Sequence, residues 1–190
     1  MFSIEQSSQE QRLVKRLRNG ENGAMQEFYS LYANRLTAVC SRYIVDKDDL
    51  KDVFQDAFIH ILSHIRDFEY RGAGSLQAWA SKIVVNEALR FLKVKKQHEL
   101  LFSDDVADIP GEETPDFNDI PPEVIQQMIQ SLPTGYRTVF NLYVFEQKSH
   151  SEIAQLLGIK EGTSSSQFSR AKSLLARMIR QYINKEQLSK

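Results

Sequence analysis

This chain has very little cysteine: Cys40 stands alone, so no internal disulfide is available to it. Cys40 lies in LTAVCSRYIV, an apolar setting that predicts a buried structural thiol, and nothing suggests redox chemistry. No apolar run approaches the roughly 18 residues needed to span a bilayer, and the opening MFSIEQSSQEQR has no apolar secretion core. A cytoplasmic protein without membrane insertion is expected. A phosphate-binding glycine loop and a nucleophile elbow are also missing. His60 and His64 share a helix face at a spacing that can bind zinc, but the intervening ILS brings no glutamate and no third ligand is evident. The chain is therefore read as no enzyme, with no metal and no cofactor.

Proline is scarce and confined. Four of the five prolines fall in HELLFSDDVADIPGEETPDFNDIPP, residues 98–122, which carries eight acidic residues and no Lys or Arg. Residues 1–97 hold 15 Lys and Arg against 12 Asp and Glu, and residues 123–190 hold 9 against 5, so two mildly basic parts flank a strongly acidic one. Such a segment buries too little apolar surface to fold alone. The division expected is a domain over 1–97, an acidic tether over 98–121 and a second domain over 122–190.

What is abundant is helical periodicity. In DKDDLKDVFQDAFIHILSHIRDF, Leu50, Val53, Phe54, Ala57, Phe58, Ile61, Leu62 and Ile65 recur at the spacing of one buried helix face, with Asp46 as N-cap. Asp48 and Asp49 suit the positive end of that helix dipole. GAMQEFYSLYANRLTAVCSRYI repeats the pattern with Phe28, Leu31, Tyr32, Leu36 and Val39, and SLQAWASKIVVNEALRFLK with Leu76, Trp79, Ala80 and Ile83. No convincing period-two strand appears, and the chain reads as all-α.

Near the C-terminus, Ser149 and Glu152 form a capping box that starts a helix carrying Ile153, Ala154, Leu156 and Leu157, and Gly158 falls where that helix must stop. A second helix follows that buries Phe168, Ala171, Leu174, Leu175 and Met178. Ser164, Ser165, Gln167, Arg170 and Lys172 occupy its other positions, short polar and basic side chains suited to phosphates and base edges in a major groove. The pattern is that of a DNA-binding helix-turn-helix; two packed helices with a solvated serine face are the alternative.

Two stripes mark the N-terminal half. Asp52, Gln55, Asp56 and Ile59 fall at i, i+3, i+4 and i+7, off the buried face, which makes them either a solvated surface or a partner contact built on an exposed isoleucine among acids. Lys82, Asn86, Arg90 and Lys93 line one face of the Trp79 helix and suit phosphates plus a base edge. Before that helix, FEYRGAGS sets Phe68, Tyr70 and Arg71 beside two glycines, groups fit to hold an unstacked base. Trp79 itself is read as core.

Two motif sets in chain order resemble the extracytoplasmic-function branch of the sigma-70 family. MIQSLPTGYRTVFNLYVFEQKSHSEIAQLLGIKEGTSSSQFSRAKSLLARMI is similar to region 4, through Leu132, Pro133, Arg137, Val139 and Phe140, then Glu152 to Ala154, Leu157 to Ile159 and Glu161 to Thr163. FYSLYANRL and the stretch from Asp49 to Lys96, with its D-x-x-Q-[DE]-x-F helix and W-x-x-x-I-x-x-N helix, are similar to region 2. The resemblance implies a transcription initiation factor whose partners are core RNA polymerase, through the β′ coiled coil and the β flap, and promoter DNA; an anti-sigma factor is a further partner common in the family. By the resemblance, Asp52, Gln55, Asp56 and Ile59 dock on polymerase. Tyr70, Arg71, Lys82, Asn86, Arg90 and Lys93 are assigned to the −10 element, and Arg137, Thr163, Ser164, Ser165, Gln167, Arg170 and Lys172 to the −35 element. The family usually has valine and lysine after Gly-Thr where this chain has Ser164 and Ser165, which makes Gln167 and Arg170 the better base-contact candidates. No domain intervenes between the two regions and nothing resembles the N-terminal inhibitory region of housekeeping members, so the minimal two-domain subgroup is expected. The tether would span elements roughly 70 Å apart, within its extended reach of about 80 Å. The alternative is a helix-turn-helix regulator with an N-terminal sensor or dimerisation domain, which would bind duplex DNA unaided.

Overall fold

Asp46 shows how locally the helices are specified. Its carboxylate accepts the backbone N–H of Asp48 and of Asp49, both at 3.0 Å, which satisfies two of the orphan donors that every helix start exposes. In this computed structural model, which describes residues 2–96 and 120–188 and the side chains of 9–95 and 120–186, that cap opens the third of eight helices. They are α1 (Phe2–Arg18), α2 (Ala24–Ser41), α3 (Lys47–Ser63), α4 (Ser75–Lys96), α5 (Pro122–Ser131), α6 (Thr134–Val144), α7 (His150–Leu157) and α8 (Glu161–Leu188). Among the described residues there is no strand. The chain divides into two compact units, Met1–Leu92 and Lys93–Lys190. The expected acidic tether lies outside the described residues except for Ile120 and Pro121.

The first unit packs α1 to α4 around Phe28, Leu36, Tyr43, Ile61, Leu76 and Val84, all essentially out of water. Each such side chain contributes on the order of 1.5–3 kcal/mol by burial. On α3 the innermost line is Val53, Ala57 and Ile61, while Phe54 and Phe58 are half-buried and form an aromatic ridge against Phe28 of α2. Cys40 is buried as expected, and desolvation pushes its thiol up to about 12. Leu31, assigned to the buried face of α2, is instead exposed. α1 was not legible as a helix, yet Leu13, Val14 and Leu17 are core residues.

The second unit is built on α8. Ile129 and Leu132 of the α5 end, Tyr136 of α6, and Ala171 and Leu175 of α8 form its centre. α7 starts at the expected capping box: Ser149 accepts the Glu152 N–H at 3.2 Å, and Glu152 accepts the Ser149 N–H at 2.8 Å. It stops at Gly158, whose φ of 66° is the left-handed conformation that glycine takes cheaply. Leu156, expected on the buried face, is exposed.

The capping box supplies a pH test. The Ser149 backbone and hydroxyl, with Lys148, hold the Glu152 carboxyl down to about 2 from its ordinary 4.5. A depressed folded value means that the carboxylate stabilises α7 fully above the ordinary value and loses that effect as pH falls toward 2. The difference in unfolding midpoint between wild type and Glu152→Gln is therefore expected to be largest above pH 5 and to close on acidification, as thermal melts across this range would record.

Candidate nucleic-acid and docking interfaces

The two sequence stripes lie on α3 and α4. Asp52, Gln55, Asp56 and Ile59 are all exposed on α3, with Ile59 at 52%. Lys82, Asn86, Arg90 and Lys93 are all exposed along α4. The stripes meet where the Arg90 guanidinium lies 3.6 Å from the Asp56 carboxylate. Arg90 also donates to Glu87 at 2.8 Å from Nε, and Glu87 reaches back to His60 of α3 at 2.6 Å. Glu87 is buried, and it is a hub that sequence reasoning missed. Arg90 is thus already paired inside the protein. Because the Arg90 and Asp56 side chains are each about 60% exposed, that pair is worth little, roughly 0–1 kcal/mol, and Arg90 can exchange it for a phosphate. His60 is engaged by Glu87, and among the described residues no cluster of three metal-ligating side chains exists.

The loop before α4 is anchored at both ends. Phe68, expected to be available in the loop, is buried with its ring 5.0 Å from that of Trp79. Trp79 is half-buried and forms a wall of two surface grooves, one lined by Phe68, Arg71 and Ser75, the other by His60, Ile83 and Asn86. Tyr70 is half-buried, and Arg71 is exposed beside Glu69 at 3.2 Å. The α4 N-terminus is closed by Glu10 of α1, which accepts the N–H of Gly74 at 2.8 Å and of Leu76 at 2.7 Å. Arg18 of α1 donates to the carbonyls of Ile65, at 3.3 Å, and Phe68. Tyr32 lies near this carboxylate, and its phenol is pushed up to about 12, chiefly by burial and next by Glu10.

On the second unit, three of the seven residues assigned to the −35 element turn inward. Arg137 is 7% exposed and donates to the carbonyls of Gln130 at 3.0 Å and Leu132 at 2.7 Å and to the Thr134 hydroxyl at 3.3 Å. It ties the end of α5 to α6, and burial lowers its pKa. Ser164 is fully buried, 3.0 Å from His150 of α7, and fixes the spacing of the two helices. Gln167, 2% exposed, sits one turn before Ala171 on the inner face of α8, and its Oε1 has no hydrogen-bond partner. The outer face carries Ser165 and Lys172 with Ser169, which sequence reasoning passed over; Thr163 and Arg170 flank it, half-exposed. The Lys172 ammonium lies 5.1 Å from the Phe168 ring centroid, which restrains it over the start of this face.

Two stretches of the chain match known families. Residues 28–97 match the family described as Sigma-70 region 2, and residues 123–175 match Sigma-70, region 4, so the two regions follow each other as in a two-domain initiation factor. The chain is 26% identical over 182 residues to the ECF RNA polymerase sigma-E factor of Haemophilus influenzae, covering 90% of this chain and 95% of that one. It is 28% identical over 179 residues to the RNA polymerase sigma-H factor of Pseudomonas aeruginosa, covering 88% and 92%. It is also 26% identical over 179 residues to the ECF RNA polymerase sigma factor SigW of Bacillus subtilis, covering 88% and 95%. The chain belongs to the extracytoplasmic-function branch of the sigma-70 family of transcription initiation factors.

Burial separates structural from recognition residues in the second unit. Gln167→Leu removes a buried amide whose oxygen has no partner, so it is expected to leave stability equal or higher and sequence preference unchanged. Arg137→Ala strands the buried Leu132 carbonyl and the partly buried Gln130 carbonyl and is expected to cost about 2 kcal/mol or more in denaturant unfolding. A loss of DNA discrimination in a stably folded Gln167→Leu protein would reassign Gln167 to the interface.

Proposed function

We propose that this chain docks on core RNA polymerase through Asp52, Gln55, Asp56 and Ile59 and brings it to promoters read at two elements. The observation that carries the reading is the pairing, within the first unit, of an exposed acidic stripe built around an apolar residue with a cationic stripe on the neighbouring helix. An isoleucine half in water among carboxylates suits a protein partner. Lysines at regular helical spacing with one asparagine suit a DNA backbone and a base edge. The β′ coiled coil is the partner assigned to the first stripe. Lys82, Asn86, Arg90 and Lys93, with Tyr70 and Arg71 of the loop, are assigned to the −10 element.

In the second unit the −35 element is assigned to the outer face of α8. Ser165, Ser169 and Lys172 lie along it, with Thr163 and Arg170 at its edges, a surface short enough for close approach to a major groove. Arg137, Ser164 and Gln167 serve this surface from within, by fixing the helices that present it. The β flap is proposed as a second polymerase contact, made by this unit, and an anti-sigma factor as the regulator. The chain itself carries no chemistry; polymerase makes the bonds. Among the described residues no helix is long and apolar enough to cross a membrane, and we place the chain's action in the cytoplasm.

Run-off transcription from a genomic fragment pool, with bacterial core polymerase and with or without this protein, tests the reading. Discrete transcripts that require the protein are expected. Specific shifts of duplex fragments by the protein alone, without such transcripts, would favour a stand-alone DNA-binding regulator. Asp56→Arg is expected to abolish holoenzyme assembly at unchanged helicity. Arg170→Ala is expected to weaken discrimination among −35 sequences by about 1 to 3 kcal/mol, and an equal loss on all sequences would make Arg170 a phosphate contact only.

A further inference from the structure

The loop between Phe68 and Ser75 hangs between two anchors, and α1 takes part in both. At its start, Phe68 is buried on Trp79 while Arg18 holds the carbonyls of Ile65 and Phe68. At its end, the two oxygens of Glu10 accept one backbone N–H each, from Gly74 and Leu76, and Oε1 also lies 3.4 Å from the Ser75 hydroxyl. That hydroxyl in turn accepts the Arg71 N–H at 3.2 Å, so the carboxylate reaches the backbone of Arg71 through a single side chain. Gly72 and Gly74 have φ of 116° and 84°. Backbone in that region gains nothing from its own residues' preferences, and glycine pays the largest entropy on being fixed. The turn's own bonds are few, the Ser75 N–H to the Gly72 carbonyl at 3.1 Å and the Arg71 N–H to the Ser75 hydroxyl, and Glu10 adds those that tie it to another helix.

We propose that Glu10 is a positioning residue for −10 recognition: its carboxylate clamps the α4 N-terminus and the Gly72–Gly74 turn, and so fixes how Tyr70 and Arg71 are presented to an unstacked base. The inference rests on the reading of this loop given above. It adds a residue more than sixty positions away in sequence, on a helix that none of the DNA-facing assignments includes. When the clamp is lost, the turn spreads over many conformers, and apparent affinity for the base falls by the fraction that remains competent. Glu10→Gln does this with little change of volume. One acceptor oxygen is kept, and an amide donor is placed against a backbone N–H that has no use for it.

The test uses holoenzyme on a promoter that it transcribes, with templates carrying a single abasic site at each −10 position of the non-template strand in turn. Wild type identifies the captured position as the one where base removal slows open-complex formation most. Glu10→Gln is expected to assemble with polymerase as wild type does, to lose roughly tenfold in open-complex formation on intact DNA, and to match wild type on the template lacking the captured base. A structural defect unrelated to capture would lower both templates alike, and that result overturns the inference while the loop keeps its reading role. No loss on intact DNA overturns it in the same way. Wild-type rates indifferent to every abasic position would instead remove the reading of the loop, and the inference with it. Should Glu10→Gln reduce helicity, Arg18→Lys carries the same comparison at the other anchor, with the same outcomes deciding.

Discussion

The first unit depends on a helix cap made across the fold. The N-terminus of α4 leaves backbone donors exposed, and no side chain at its own start meets the two that Glu10 takes. A carboxylate is the right group there twice over, since it accepts two hydrogen bonds and its charge faces the positive end of a 22-residue helix. Through that bond α1 holds the loop and helix that carry residues assigned to DNA, although it carries none of them itself. The same helix contributes Leu13, Val14 and Leu17 to the core, so the apolar packing that fixes α1 also fixes the carboxylate. Burial and polar geometry support each other in this arrangement.

The second unit solves a similar problem at a helix end. The last turn of α5 and the residue after it leave carbonyls that need donors, and Arg137 supplies them from α6. A guanidinium suits the task because it offers several N–H groups in a rigid plane and stays charged when buried. The Leu-Pro step between the helices lets α6 begin at once, with Pro133 at its N-cap. Arginine in this motif therefore serves the fold.

Features set by a few neighbouring residues were legible in the sequence. Asp46 caps α3, Ser149 and Glu152 close their box, and Gly158 ends α7, because each of these bonds spans no more than four positions. The exposure of the cationic and acidic stripes was also legible, since helical spacing alone places them off the core. Glu10, Arg18 and Glu87 were not, because their partners are fixed only by packing between helices. Gln167 was misread for a different reason. Its spacing of four and eight residues from Ala171 and Leu175 marks the inner face of α8, but its polarity was given more weight than its phase. The helix phase was the better guide.

The Arg90–Asp56 pair makes two surfaces share one charge. Thermodynamic linkage then follows without any movement of the backbone. Under the assignments proposed above, a partner that takes Asp56 leaves Arg90 with Glu87 alone, and a phosphate that draws Arg90 away leaves Asp56 open, each easing the other by the same factor. An exposed pair limits that factor to about fivefold at most, for roughly 1 kcal/mol of coupling. Under the same assignments, cooperativity of this size is a bias whose sign favours a chain engaged on both stripes over one engaged on either alone.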